Sequence, residues 1–551
     1  MSAMPPERTS AEPSGPTRAD ETAPSLTERH TSQPPPSLPA SMPTPVAGPQ
    51  QGPILTPSIV VALTGILISA MAALLNNRVG ALALADIRGG YGFGFDAASW
   101  ITTAFSAGEL IAMPFSSWFV MTLSMRRFHL WMVTACALIA AVLPFVQDLG
   151  LLIFLRFLQG LTCGALIPIL LTAGLKLMPA SVRLYGMSLY ALTATFAPNI
   201  AIWLSGLWTD QVVDIRLVYW QIIPLCLISG LMVGFSLPRE PITKGKPGNW
   251  LGLIFGVPAL GLIVIGLDQG VRLDWFNSPL IVATLITGIS LLIVYFLTEW
   301  YHPAPFIKLQ ILGRRNLAIC PLLFACILVV LASSVALPSQ FVGAVQDFRP
   351  MQTAPIALII ALPQPVLGLI VAALLYQQWM DARKLFAAGL ALIALASFLG
   401  AQFTAQWNDE QFLLAQVLQA IGQPMTIVSM LFLVTSAVAP HEGPYISGVM
   451  NSMRAFGALL SSAFVGQFLA LRGRFHSDTL LTHAGLASDA VPGTAQATGL
   501  GNVISQQSLV LSVADAYRVL GMLALLLIPF VLMLRYYPPP GSAPAVRAPS
   551  A

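Results

Sequence analysis

Three side chains stand where an apolar sequence should carry none. Arg156 interrupts LLIFLRFLQGLTCGALIPILL (Leu151 to Leu171), Glu109 interrupts AFSAGELIAMP, and Arg454 lies in NSMRAFG. Insertion scales put a midspan charge at roughly 2.5–3.5 kcal/mol, so each marks a candidate functional site. A carboxylate among guanidiniums can exchange protons: desolvation makes the acid hold its proton, and an approaching arginine makes it release one. A change in the distance from Glu109 to an arginine between conformations would therefore switch its protonation. The competing reading is a static buried ion pair that holds the helices together.

Neutral polar residues recur at helical steps around these charges. Arg156, Gln159, Gly160, Cys163, Gly164 and Pro168 share one face, as do Thr102, Ser106, Glu109 and Met113. Gln416, Gln419, Gln423 and Thr426 form a third stripe, and Ser447, Asn451, Arg454, Ala458 and Ser461 a fourth. Lipid offers such groups no partner, so the stripes should face one another or a substrate cavity. Glutamine with small residues also serves as glue between membrane helices, and both readings stand. Asn76, Asn77 and Arg78 lie toward the outer half of the first apolar segment. Arg78 either snorkels to the interface or enters the cavity, where it would favour anionic or carboxylate-bearing solutes.

The elements that must hold these side chains follow from composition. Of 551 residues, 56% are hydrophobic and only 9% charged, and the mean hydropathy is +0.76. Soluble domains are roughly one quarter charged, so a water-facing surface is excluded. The fold class is an all-α polytopic membrane protein. Apolar segments of spanning length fall near 57–83, 97–119, 128–147, 150–174, 185–207, 217–237, 250–268, 278–298, 316–343, 354–376, 384–402, 411–436, 445–470 and 517–537. Residues 1–55, rich in Pro, Ser, Thr and Glu, read as a disordered cytoplasmic tail, and 538–551 as a second tail. Between them lie a six-helix half (56–240), an inserted helix pair with its linker (241–310), and a second six-helix half (311–537) carrying a long periplasmic loop over 471–516.

A weak internal repeat supports two halves. An offset of 260 residues aligns RFLQG from Arg156 with QVLQA from Gln416, and pairs Tyr185 with Tyr445 and Phe196 with Phe456. Six-helix repeats of this kind build rocker-type carriers with the site between the halves. Basic residues set the orientation. Arg126, Arg127, Lys176, Arg183, Arg239, Lys244, Lys246, Lys308, Arg314, Arg315, Arg383 and Lys384 fall in one set of loops; Arg78, Arg88, Arg216, Arg272 and Arg349 fall at the opposite ends. Positive-inside bias then predicts both termini in the cytoplasm, with acids such as Asp210, Asp268 and Asp274 mostly outside.

Other chemistry is not encoded. Cys136, Cys163, Cys226, Cys320 and Cys326 sit in apolar stretches and read as buried thiols, and no histidine has ligand spacing. No phosphate loop, nucleophile elbow or dinucleotide fingerprint occurs, so neither an ATP-driven pump nor an enzyme is expected, and no cofactor or metal. Basic clusters interleaved with aromatics are absent, which excludes nucleic acid as a partner.

At this level the residues resemble a known family. RFLQGLTCGALIP is similar to the helix-4 motif of major facilitator superfamily transporters, in particular the fourteen-helix drug:proton antiporters of EmrB/QacA type. ASWITTAFSAGELIAMP resembles their helix-2 signature, LPRE (Leu237 to Glu240) their exit from helix 6, and NSMRAFG their helix 13. The resemblance implies proton coupling by Arg156 and, by our extension, Glu109. It implies a cavity lined by Asn76, Asn77, Arg78, Gln159, Gln416, Gln419, Gln423, Asn451 and Arg454. Gly160, Gly164, Pro168, Pro198 and Gly206 would be motif residues shaping the helices, and Arg126 and Arg127 part of a cytoplasmic gating loop. The sequence departs at Asn76, where the family carries an acid, at FAPNIAIWLSG, which keeps Ala197, Pro198 and Gly206 only, and in the second loop, which lacks its acid. The expected activity is efflux of small organic molecules in exchange for protons across the inner membrane, with a periplasmic adaptor and outer-membrane channel as partners. A symporter or metabolite or siderophore carrier on the same fold, and a non-transporting membrane receptor, are the alternatives.

Overall fold

A computed structural model describes residues 55–240, 248–486 and 494–539. The tails expected over 1–55 and 538–551 lie almost wholly outside the described residues, as does part of the linker. Fourteen helical elements occupy the fourteen expected segments. They are α1 (Pro57–Leu82), α2 (Phe95–Leu123), α3 (Met125–Phe145), α4 (Leu149–Leu177), α5 (Arg183–Thr195 continued by Ala197–Gln211), α6 (Ile215–Ser236) and α7 (Trp250–Gly270). Then follow α8 (Pro279–Tyr301), α9 (Arg315–Val345), α10 (Pro350–Leu375), α11 (Ala382–Gly400), α12 (Glu410–Thr435), α13 (Gly443–Leu486) and α14 (Thr494–Leu532).

Twelve of these are long and apolar enough to cross a membrane, and α5 makes thirteen if its two pieces, bent by 47°, count as one span. The bend falls at Phe196 beside Pro198, whose missing N–H and ring break the helical ladder. At 29 residues α2 is long enough, but Thr102, Ser106, Glu109, Ser116 and Ser117 dilute its apolar character. Side chains are distributed for lipid rather than water. Leu138, Phe154, Leu231 and Phe235 are exposed, whereas Glu109, Arg156, Glu299 and Arg454 are buried.

Glycines set the closest helix pair. A Cβ on Gly108 would collide with the Phe157 carbonyl, one on Gly160 with that of Phe105, and one on Gly164 with that of Glu109. The α2 and α4 backbones therefore touch, as small residues four apart allow in membranes. The halves α1–α6 and α9–α14 meet along α2–α13, α4–α13 and α5–α10. Ser447 Oγ donates to the Pro168 carbonyl (2.6 Å), the Tyr190 hydroxyl donates to Asn451 Oδ1 (2.9 Å), and the Leu184 N–H to the Tyr376 hydroxyl (3.3 Å). Gly206 lets α5 lie against Met351 at the start of α10. The inserted α7 and α8 pack on each other, and α7 also packs on α2 and α13.

Two elements differ from expectation. Helix α9 is interrupted: its α-helix ends at Val330, a short 3-10 turn covers Leu331–Ser333, and α-helix resumes at Ala336–Val345. The loop expected over 471–516 is helix for most of its length, because α13 runs on to Leu486 and α14 starts at Thr494. The extensions are braced against each other. Arg472 and His476 both contact Asp515, the latter at 2.8 Å, while Phe464, Phe468, Val510 and Val513 pack between them. Its moderate polarity reads as loop in sequence, yet a paired helix needs only one buried face.

Candidate functional site

The charged residues converge from three helices. Glu109 of α2 is buried, accepts a hydrogen bond from Asn77 Nδ2 of α1, and pairs with Arg454 Nη2 of α13 at 3.2 Å. Two adjoining chambers open beside this pair. The smaller, about 240 Å³, is lined by Asn77, Arg78, Thr102, Ser106, Glu109 and Arg454 among others. The larger, about 440 Å³, is lined mainly by apolar groups, with Pro198, Leu328, Ala332 and Val465 among them, and by Gln423, Ser461 and Ser462.

Arg78 faces both chambers, remains solvent-accessible deep in the bundle, and makes no hydrogen bond or ion pair with the described residues. It therefore enters the cavity rather than snorkelling to the interface. The cavity draws its walls from both halves: α1 and α5 on one side, and α9, α12 and α13 on the other.

The profile of the Major Facilitator Superfamily matches residues 66–363, more than half of the chain. The chain belongs to the major facilitator superfamily. It is 22% identical over 415 residues to the multidrug export protein EmrB of Escherichia coli (strain K12), covering 73% of this chain and 78% of that protein. The probable multidrug resistance protein EmrY of the same organism is 23% identical over 494 residues, covering 86% and 94%. The fatty acid resistance protein FarB of Neisseria gonorrhoeae is 21% identical over 482 residues, covering 84% and 93%. Among solved structures, a peptide transporter of the POT family complexed with a thioalcohol-conjugated peptide superposes with a TM-score of 0.52 at 14% identity, over 86% of this chain and 96% of that one. Superfamily membership makes the protein a multi-pass transporter and not an enzyme, with similarity to the EmrB-type members.

Within the superfamily fold, the expected site residues divide into four groups. Asn77, Arg78, Glu109, Arg454, Gln423 and Pro198 line the chambers. Arg156 does not. It is buried with its guanidinium over the ring of Phe105 (4.5 Å) and near that of Tyr219 (5.7 Å), and donates to Gln159 Oε1 at 2.7 Å. Gly80 leaves room for its Nη2, and no carboxylate pairs with it among the described residues. Glu109 faces away from it, toward Arg454.

The other amides turn to packing, because periodicity identifies a face but not its neighbour. Gln416 Nε2 donates to the Ser334 carbonyl (2.8 Å) and Gln419 Nε2 to Ser333 Oγ (2.9 Å), so both staple the break in α9. Asn451 is tied to Tyr190 and to the Ser447 carbonyl, and Asn76 is buried behind the wall. Arg126 and Arg127 line a cleft of about 360 Å³ with Arg239 and Ser124, whose φ of 72° makes the tight turn from α2 to α3.

Asp268, expected among the acids of the outer side, lines the smaller chamber from the end of α7. Its only sequence signal was position, two residues before the terminal Gly270 of an otherwise apolar run. No cluster of three or more His, Cys, Asp or Glu side chains able to hold a metal occurs among the described residues.

Proposed function

We propose that the protein exports small, fairly apolar organic molecules by exchange for protons. The observation that carries this reading is the joint placement of a buried Glu109–Arg454 pair and the unpaired Arg78 in one cavity between the halves. An ion pair that opens when the halves move lets Glu109 take a proton; its re-formation expels that proton. Arg156, held against aromatic faces without an acidic partner, supplies fixed positive charge beside α1 and α2 and favours proton departure. An apolar chamber ending at a free guanidinium suits amphiphiles bearing a carboxylate or similar anion. The names of the relatives EmrB, EmrY and FarB, which concern drug export and fatty acid resistance, support export of such compounds.

The proposed orientation puts both termini in the cytoplasm of a cell with an inner membrane, following the basic loops. The braced ends of α13 and α14 then project outward, where a periplasmic adaptor leading to an outer-membrane channel would dock.

Everted vesicles carrying the protein test the reading. A panel of toxic acidic and cationic amphiphiles should show uptake of the acidic set, driven by an acid-inside, outwardly directed proton gradient and abolished by a protonophore. Accumulation that runs with the proton flux in whole cells would instead identify a symporter. A receptor would tolerate Arg78→Ala and Glu109→Gln without change in resistance.

A further inference from the structure

The inserted pair α7 and α8 has no counterpart in a twelve-helix carrier and would read as a spacer, but its position against α2 gives it a chemical role. The last turn of α7 lies against the first turns of α2, and a short chain of side chains joins them. Thr103 Oγ1 donates to Asp268 Oδ2 at 2.5 Å, Gln269 Nε2 donates to Thr103 Oγ1 at 2.5 Å, and Ser99 Oγ donates to Gln269 Oε1 at 3.3 Å. Arg272 Nε donates to the same Gln269 oxygen at 2.6 Å, and its Nη1 pairs with Asp96 at 2.9 Å. The nearby arginine is thereby occupied. Asp268 itself, half-buried, has neutral Thr103 as its hydrogen-bond partner, no cation within ion-pair distance among the described residues, and a face on the chamber that holds Glu109.

The two carboxylates of this chamber thus differ. Glu109 is held by a cation, Arg454, and by Asn77, whereas Asp268 receives one neutral donor. We propose that Asp268 is a second proton-binding group of the transport cycle, and that it is the carboxylate that takes up the proton in this conformation. The charged groups facing the chamber are Glu109 from α2, Arg78 from α1 and Arg454 from α13, with Arg272 and Asp96 paired at its edge. The step is a simple protonation: a hydronium ion reaching the chamber gives its proton to the Asp268 carboxylate, so one O–H bond of the hydronium breaks, one forms on the carboxyl, and neutral water is left. Protonation removes a negative charge from the chamber that Arg78 lines and makes that chamber more favourable to an anionic solute. The insertion would then be the element that gives this carrier a second acid, and with it the capacity to move two protons per cycle.

This inference rests on the proton-coupled reading above, but its test needs no solute. Purified full-length protein in liposomes is taken from alkaline to mildly acidic pH, and the carboxylic-acid C=O stretch is followed by difference infrared spectroscopy. The expected result is an acid band that Asp268→Asn removes and that Glu109→Gln leaves in place. Thr103→Val should shift its appearance to higher pH, because the ionised form loses its donor; a merely structural Asp268 would show no such shift. Asp268→Asn retains a partner for Thr103, and Asp268→Glu should restore the band, which separates misfolding from loss of the acid. A spectrum unchanged by Asp268→Asn would overturn the proposal, and a band lost only with Glu109→Gln would return the role to Glu109. A failure of solute export in vesicles would sink the exporter reading and leave this titration decisive on its own.

Discussion

Under the 260-residue offset, Arg156, Gln159 and Cys163 of α4 correspond to Gln416, Gln419 and Gln423 of α12. On α4 the stripe closes inward. Arg156 is sandwiched by aromatic rings and bonded to Gln159, and Gly160 and Gly164 clamp the helix backbone to backbone on α2. On α12 the stripe reaches across to an interrupted neighbour, where Gln416 and Gln419 occupy groups exposed by the break in α9. Membranes permit such breaks when another helix re-satisfies the backbone. The first half is thus built as a rigid charged wedge and the second around a helix that can bend. That asymmetry leaves α9 the more deformable element and gathers buried charge on α2 and α4.

The comparison breaks most severely at Gly164. Gly164→Leu should cost more than about 5 kcal/mol, since backbone atoms of Glu109 occupy the space, and no folded protein should be recovered by size-exclusion chromatography. Gly422 of α12 has looser surroundings, with its nearest neighbours at 2.9 Å, so Gly422→Ala should fall nearer about 1–3 kcal/mol by thermal unfolding. Second in size after Gly164→Leu, Arg454→Ala strands Glu109 inside the bundle and should cost about 3–5 kcal/mol. Combining Glu109→Gln with Arg454→Met should recover most of that stability without restoring transport; a double variant as unstable as the single one would refute an ion pair there.

Smaller effects sharpen the second half. Gln416→Leu removes one interhelical hydrogen bond and should cost about 0.6–1.7 kcal/mol in denaturant unfolding within lipid micelles. Outside the membrane, Glu442 accepts from Arg314 at 2.6 and 3.0 Å. Burial alone would raise its carboxyl, but the Arg314 bonds and the Ala439 N–H hold it below the ordinary value. A carboxyl depressed on folding contributes stability above its unfolded value, about 4.3, and loses it as pH falls through the folded one. Glu442→Gln should therefore destabilise at neutral pH and cost nothing in strong acid. The smallest effect is expected at Arg349, which bridges Asp86 and Asp210 across the halves at 3.0 and 2.8 Å but is more than half exposed. Its truncation should cost less than about 1 kcal/mol and vanish in high salt.

Much of this was legible in sequence. Segment lengths located all fourteen helices, and the cost of a midspan charge singled out Glu109, Arg156 and Arg454, two of which form the pair seen here. Helical spacing also brought Thr102, Ser106 and Glu109 correctly to one wall. What spacing cannot encode is the identity of the opposing surface, so Gln416 and Gln419 were expected on a cavity and were found on α9. Asp268 was hidden because its neighbours in the chain are ordinary, while its hydrogen-bond partner Thr103 and the Glu109 that shares its chamber lie more than 150 residues away. The extension of α13 escaped because its buried face is provided by α14, a distant segment.

That extension has a mechanical consequence. At 44 residues α13 is a rod about 66 Å long, roughly twice the hydrocarbon thickness it crosses. Arg454 sits near its base and Leu486 at its tip, about 48 Å apart along the axis. A tilt of about 10° pivoting beside Glu109 would sweep the tip through about 8 Å. A small movement at the Glu109–Arg454 pair is thereby geared to a displacement of several ångströms at the far end of the same helix.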